Sequence, residues 1–400
     1  MTETLAARKI AARIQQHGPM PFVDVMASAL YDLEHGYYTR VRDMHDPIWG
    51  KAGDYTTAPQ MSPLYARCLV EFWRQVSAQI QGATLTELGA GDGQFAIDFL
   101  LALAELKLPP PNYRIIEISP ALRELQLARL IETKPPGWQQ VTWFEPDQAP
   151  AAPGMLLANE VLDALPVVRF VHTPDSKPAL QEVCVDWQAN QFVERLLPPQ
   201  SSHQSALDHL AACHSHDWGS GYCSEFAPGL KSFIDQCQSY LSTGVMLFVD
   251  YGTVAEDYYS SQRSRGTFSC FHEHHNHEQA YRQLGEQDMT AWVDFDAVAD
   301  AAGHDWSVYG YTTQAHFLIA LGLLDHAQTM IDCDVKQAVT TSDAVKTYTL
   351  PGEMGERMKV MALVNQPLRD NQVVLPGFSE RDFSARLATN KLAKSKKGSF

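Results

Sequence analysis

The sequence predicts an α/β protein, a Rossmann-like parallel sheet with a helical N-terminal cap and a β/loop insertion. Three observations carry this expectation. Strand-sized apolar runs alternate with helical periodicities at 83–88, 94–106, 113–118, 120–132, 141–144 and 154–159, as in parallel βαβ units. A glycine-rich turn, Gly89-Ala90-Gly91-Asp92-Gly93, joins the first strand to the first helix. An acidic residue, Glu117, ends the second strand 24 residues beyond Gly93.

The other elements follow in order. Residues 5–16 and 22–33 have amphipathic helical spacing, 50–59 is a loop of small residues, and 62–80 reads as a long helix with Pro63 in its first turn. Together they form a cap, 1–80, expected to cover the site from outside the sheet. The core is expected over 81–365, with an insertion at about 170–225. Within it, 168–173, 179–187 and 191–197 read as short strands, and the polar, His-rich 200–221 as a mobile loop. Helix 229–241, strand 245–252, helices 290–303 and 313–324, and late strands 306–311 and 358–364 complete the core. Residues 366–400 read as a C-terminal extension whose basic tail carries Lys391, Lys394, Lys396 and Lys397.

Composition narrows the function classes. Of 400 residues, 45% are hydrophobic and 20% charged, which fits a soluble globular chain. A net charge of −16 argues against a nucleic-acid substrate, which needs clustered Lys and Arg. Seven cysteines with no C-x-x-C pair predict reduced thiols and a cytoplasmic location. No apolar run has membrane-spanning length, and the first residues lack a basic-then-apolar signal pattern.

The glycine spacing selects the ligand. A dinucleotide turn reads G-x-G-x-x-G, whereas glycines at 89, 91 and 93 read G-x-G-x-G, with Gln94 at the last position. Glu87 in the strand end and Asp92 in the turn would repel a pyrophosphate. They suit a cationic ligand without phosphate, S-adenosylmethionine, with its sulfonium and α-amino group. Glu117 offers two acceptor oxygens to a ribose diol. The fourth strand ends in Asn159-Glu160-Val161-Leu162-Asp163-Ala164-Leu165-Pro166, which can bind an ammonium, a guanidinium or the amino-acid part of the cofactor. Asn159 also reads as the N-cap of a following helix.

With these segments stand Leu30-Tyr31-Asp32-Leu33-Glu34-His35-Gly36-Tyr37-Tyr38, Gly53-Asp54-Tyr55-Thr56-Thr57-Ala58-Pro59, Asp250-Tyr251-Gly252, 287–295 and Met354-Gly355-Glu356. In this order they resemble the MidA family of class I, Rossmann-fold methyltransferases, as a bacterial-type member; a mitochondrial complex I assembly factor belongs to the same family. Gln60 and Trp292 depart mildly from the family pattern. The resemblance implies that Glu87, Gly89, Ala90, Gly91 and Gly93 hold the methionine part of S-adenosylmethionine. Glu117 is expected to hold the ribose, with Ile118 a further cofactor contact; Asn159 and Glu160 complete the pocket, and Asp54 with Thr56 and Thr57 closes it from the N-terminal cap. Glu160, Asp163 and Asp54 become candidate catalytic carboxylates, because a carboxylate matches a guanidinium. The implied partner is a protein acceptor, with arginine and a respiratory-complex subunit suggested by the mitochondrial relatives.

Two other readings stand beside this one. One is a cofactor-binding assembly or interaction protein with little or no turnover. The other, a nicotinamide dehydrogenase, is disfavoured by Gln94. The segment 270–278 carries Cys270, His272, His274, His275 and His277. His272 and His274 are expected to share a strand face. No second half-site with zinc-like spacing appears, so the segment reads as an active-site wall or loop and no metal is assigned. The sequence fixes no oligomeric state.

Overall fold

The alternating apolar runs pair into a sheet whose centre is parallel. The computed structural model describes residues 4–40, 48, 53–54 and 56–388. The chain divides into a larger unit of Ile48–Leu162, Lys231–Gly252 and Phe295–Phe400, and a smaller one of Met1–Pro47, Asp163–Leu230 and Thr253–Asp294.

In the larger unit the strands are β1 (Thr84–Leu88), β2 (Asn112–Ile116), β3 (Val141–Phe144), β4 (Ala152–Asn159), β5 (Leu241–Thr253), β6 (Trp306–Thr313) and β7 (Met358–Asn365). Their spatial order is β6-β7-β5-β4-β1-β2-β3. The run from β5 to β3 is parallel, and β7 is antiparallel to both β5 and β6. Central strands of a sheet covered on both faces read as unbroken apolar runs, as Met155-Leu156-Leu157-Ala158 and Val245–Val249 do. From β1 the chain steps to β2 and β3 on one side, then to β4 and β5 on the other. The carboxyl ends of β1 and β4 therefore flank the point where the order reverses, the position at which open α/β sheets take ligands.

Three helices position that end of the sheet: α1 (Leu64–Gln79), α2 (Gln94–Glu105) and α3 (Pro120–Thr133). Tyr65, Cys68, Leu69, Phe72, Trp73 and Val76 recur at helical spacing along α1 and join one core with Leu85, Phe99, Tyr113 and Leu247. This stripe explains why the expected 1–80 cap is not one block. The α1 segment belongs to the larger unit, whereas helices Leu5–His17 and Phe22–Tyr31 fall in the smaller. The expected C-terminal extension is also part of the larger unit as far as it is described, since Val373, Leu375 and Phe378 enter the same core. The basic tail, with its four lysines, lies outside the described residues. The expected 290–303 helix is confined to Phe295–Ala301, preceded by the short strand Asp288–Thr290.

The smaller unit holds an antiparallel sheet in the order Met20–Pro21, Leu180–Gln188, Val168–His172, Cys223–Phe226, with Gln191–Leu197 paired to Leu180–Gln188. Ala189 and Asn190, at φ 48° and 60°, make the two-residue turn of that hairpin. The segment expected to be a mobile loop, 200–221, instead contains helix Ser201–His214. Its polar sequence hides a narrow seam. His203 is buried with Nδ1 3.1 Å from Glu182 Oε1, and Leu207 packs with Phe170, Leu180, Trp218, Tyr222, Tyr258 and Tyr259. The histidine segment is a hairpin in which His272 pairs with His275 and Cys270 with His277. His272 and His274 do not share a strand face, because Glu273 and His274 occupy the turn at φ 48° and 61°. Among the described residues no group of three or more His, Cys, Asp or Glu could hold a metal ion.

Candidate functional site

The turn after β1 is built on positive φ at Gly89 (59°), Gly91 (55°) and Gly93 (83°). Only glycine adopts that region without a Cβ penalty, which is why the run is spaced this way. The Gly93 N–H closes the turn on the Ala90 carbonyl at 2.8 Å, and Gly93 then starts α2. Asp92 does not face a ligand with its charge uncommitted, contrary to the expectation. It is ion-paired with Arg129 of α3, and its Oδ1 accepts the Gln94 N–H at 3.0 Å and the Gln60 amide at 2.6 Å. Ala90 is buried within the turn.

Two carboxyls at the strand ends are nearly solvent-free. Glu87, at 6% exposure, is pushed up to about 8 by burial, opposed by the Tyr113 hydroxyl at 2.6 Å and reinforced by the Asp92 and Glu117 charges. Burial likewise pushes Glu117 up to about 7, opposed by the Ser119 N–H at 2.9 Å and the Gln126 amide at 3.2 Å. Ile118 beside it is 43% exposed. Buried acceptors in this state gain from a cationic or hydroxyl-bearing partner, and Arg129, which reaches the turn, is already paired. The chemistry fits S-adenosylmethionine and opposes a pyrophosphate.

These shifts set a pH dependence. Carboxyls whose folded values lie above the ordinary 4.5 stabilise the fold fully below pH 4.5 and lose that contribution as pH rises through 7 to 8. Asp98, pushed up to about 6 by burial, acts in the same direction. The melting temperature of the cofactor-free protein is expected to fall from pH 5 to 8.5, and Glu87→Gln to flatten the upper part of that slope. Thermal unfolding across this range checks both; a rise with pH would contradict the burial argument.

The end of β4 carries the third group. No helix follows Asn159, so it is not an N-cap. Glu160 instead turns the chain at φ 54°. The turn is held from β5. The Glu160 N–H donates to the Val249 carbonyl at 2.8 Å, and the Val161 and Leu162 N–H groups donate to Oδ2 of buried Asp250 at 3.1 and 2.8 Å. The Asn159 amide donates to Glu160 Oε1 at 3.2 Å and accepts the Tyr65 hydroxyl at 2.6 Å; the Ala58 N–H also reaches Glu160 Oε1, at 3.3 Å. Tyr348 anchors the Ala58 carbonyl at 2.8 Å. Half-buried Thr56 and Thr57 lead into this segment. Asp54 is buried, its N–H on the Ile48 carbonyl at 2.8 Å.

The larger unit thus contains every expected site residue except Asp163, whose carbonyl accepts the Ala291 N–H at 2.9 Å within the smaller unit. Sequence reasoning missed Tyr65, Gln126, Trp143 and Asp250 as supports. Each is a polar group on an otherwise apolar strand or helix face, which was the available signal.

Sheet order, glycine turn and acidic strand ends define a class I-like, S-adenosylmethionine-dependent methyltransferase. A family model for such methyltransferases, Methyltransf_28, matches residues 64–312, and the chain belongs to this MidA-like family. A Burkholderia thailandensis protein solved with bound S-adenosyl-homocysteine is 30% identical, covers 96% of each chain and superposes with a TM-score of 0.86. A native structure of a protein from the same organism gives 30% and 0.83. The protein arginine methyltransferase NDUFAF7 of Xenopus tropicalis is 24% identical over 92% of this chain and 88% of its own length. Its Drosophila melanogaster homologue is 26% identical over 89% and 84%. S-adenosylmethionine is the cofactor. Among the described residues no helix is long and apolar enough to cross a membrane.

Proposed function

We propose that this chain methylates a protein side chain, with the arginine guanidinium as acceptor, and that Glu160 receives it. The observation carrying the reading is a carboxylate held in a strained left-handed turn at the carboxyl end of β4, beside the switch point of the sheet. The protein arginine methyltransferase relatives support the acceptor class, and a respiratory-complex subunit is the candidate protein.

In this reading Gly89, Ala90, Gly91 and Gly93 let the backbone approach the methionine part of the cofactor, and Glu87 faces its positive charge. Glu117 and Ile118 take the ribose side. Asn159, Thr56 and Thr57 complete the wall, and Asp54 is a further carboxylate for the acceptor. When bound, the cofactor supplies an electrophilic methyl on a sulfonium. Glu160 orients the guanidinium by charge-assisted hydrogen bonds. The guanidinium nitrogen gains the methyl as the methyl–sulfur bond breaks and neutral S-adenosyl-homocysteine departs, and the proton the nitrogen sheds passes to Glu160. The seven unpaired cysteines support a reducing cytoplasm as the location.

Incubation of native cell extract with label-bearing cofactor and the protein, followed by mass spectrometry of labelled peptides, is expected to find methylarginine. Tight cofactor binding with no transfer to any protein would favour the assembly-protein reading instead.

A further inference from the structure

Gln126 sits fully buried on α3, and both ends of its amide are engaged. Its Nε2 donates to the Gly91 carbonyl at 2.8 Å and to Glu117 Oε2 at 3.2 Å, while its Oε1 accepts the indole N–H of Trp143 on β3 at 2.8 Å. The two ends of an amide are alike in shape, so partners decide which way it points. An indole N–H only donates. Trp143 therefore selects the Oε1 end, and Nε2 must face Gly91 and Glu117. One donor group thus ties the turn after β1 to the acid after β2. The side chain also packs under the turn, 3.4 Å from where a Gly93 Cβ would lie.

We infer that Gln126 is a positioning residue for the cofactor. Through an amide whose orientation Trp143 fixes, it sets the spacing between the glycine turn and Glu117, and with it the grip on the ribose. The inference rests on the proposed role of Glu117. It has an electrostatic side as well. The groups facing the Glu117 carboxyl are the Ser119 and Ile118 N–H groups, the Gln126 amide, the Arg123 charge and the Glu87 carboxyl. Removing the amide takes away a donor that favours the ionised form, so Glu117 then ionises at higher pH.

The test is calorimetric binding of S-adenosyl-homocysteine from pH 6 to 9. Gln126→Met, which keeps length and loses both polar ends, is expected to bind about tenfold more weakly. The pH at which affinity is half its plateau is expected to move upward. Trp143→Phe keeps a ring and frees the amide to turn over, so it shifts both quantities the same way by less. Added to Glu117→Gln, Gln126→Met should cost little more, because both act on one contact. Wild-type affinity and pH midpoint in Gln126→Met and Trp143→Phe would overturn the inference. So would an additive double variant, or a lowered melting temperature with an unmoved midpoint. If Gln126→Met does not fold, Trp143→Phe decides. Wild-type affinity in Glu117→Gln would instead overturn the ribose role of Glu117.

Discussion

Replacing Glu160 by glutamine is expected to slow methyl transfer by about 10²-fold or more, with the affinity for S-adenosyl-homocysteine nearly unchanged. The substitution is close to isosteric, and two bonds to the side chain survive it. The Ala58 N–H and the Asn159 amide converge on Oε1, which a glutamine carbonyl can still present to them. The backbone at φ 54° is fixed by Val249 and Asp250, not by the Glu160 side chain. What is lost is a negative charge for the guanidinium and a site for its proton. Steady-state rates with a methylatable protein, set beside calorimetry and melting curves, separate these effects. Unchanged turnover would remove Glu160 from the proposed chemistry. Glu160→Ala is a poorer probe, since it also takes the shared acceptor from the Asn159 amide and the Ala58 N–H.

The contrast between Asn159 and the glycine turn shows what was legible in the sequence. The turn is a local device: three positive-φ residues, a strand before and a helix after, all within consecutive positions, so spacing alone reveals it. The fate of Asn159 was not local. Asn followed by acidic residues is a good helix start, yet here Asp250, 89 and 88 residues downstream of Val161 and Leu162, captures their N–H groups and turns the chain instead. Asp92 misled for the same reason, because its partner Arg129 lies 37 residues downstream on another helix. Most strands and helices with wide apolar faces were readable, although helices Leu323–Cys333 and Ala338–Thr349 were not anticipated. Helix Ser201–His214 was not, because a seam on His203 and Leu207 is too narrow to outweigh a polar composition. The division between Leu162 and Asp163 cuts through a contiguous motif, and no composition shift marks it. Unit membership follows from which core each side chain enters, a long-range property.

Gly91→Val is expected to abolish measurable S-adenosyl-homocysteine binding, a loss of about 100-fold or more, while the chain still folds with a reduced melting temperature. A left-handed backbone costs a residue with a Cβ about 1–2 kcal/mol, and a β-branched side chain is among the worst placed there. At φ 55° Gly91 would have to absorb that strain or move. Movement is resisted because its carbonyl is held by Gln126 and the turn closes two residues later on Ala90. Either response damages the site: a retained backbone projects an isopropyl group from the turn, and a relaxed one displaces the N-terminus of α2. Strain alone must be separated from ligand exclusion, and Gly82 provides the control. It also has positive φ, at 70°, with nothing within 4 Å of where its Cβ would lie, and it stands before β1 instead of after it. Gly82→Val therefore carries a comparable backbone penalty at the opposite end of the strand. Its expected phenotype is a lowered melting temperature with wild-type affinity. Equal loss of binding in both variants would mean that general destabilisation explains the effect. Wild-type affinity in Gly91→Val would remove the turn from the cofactor site.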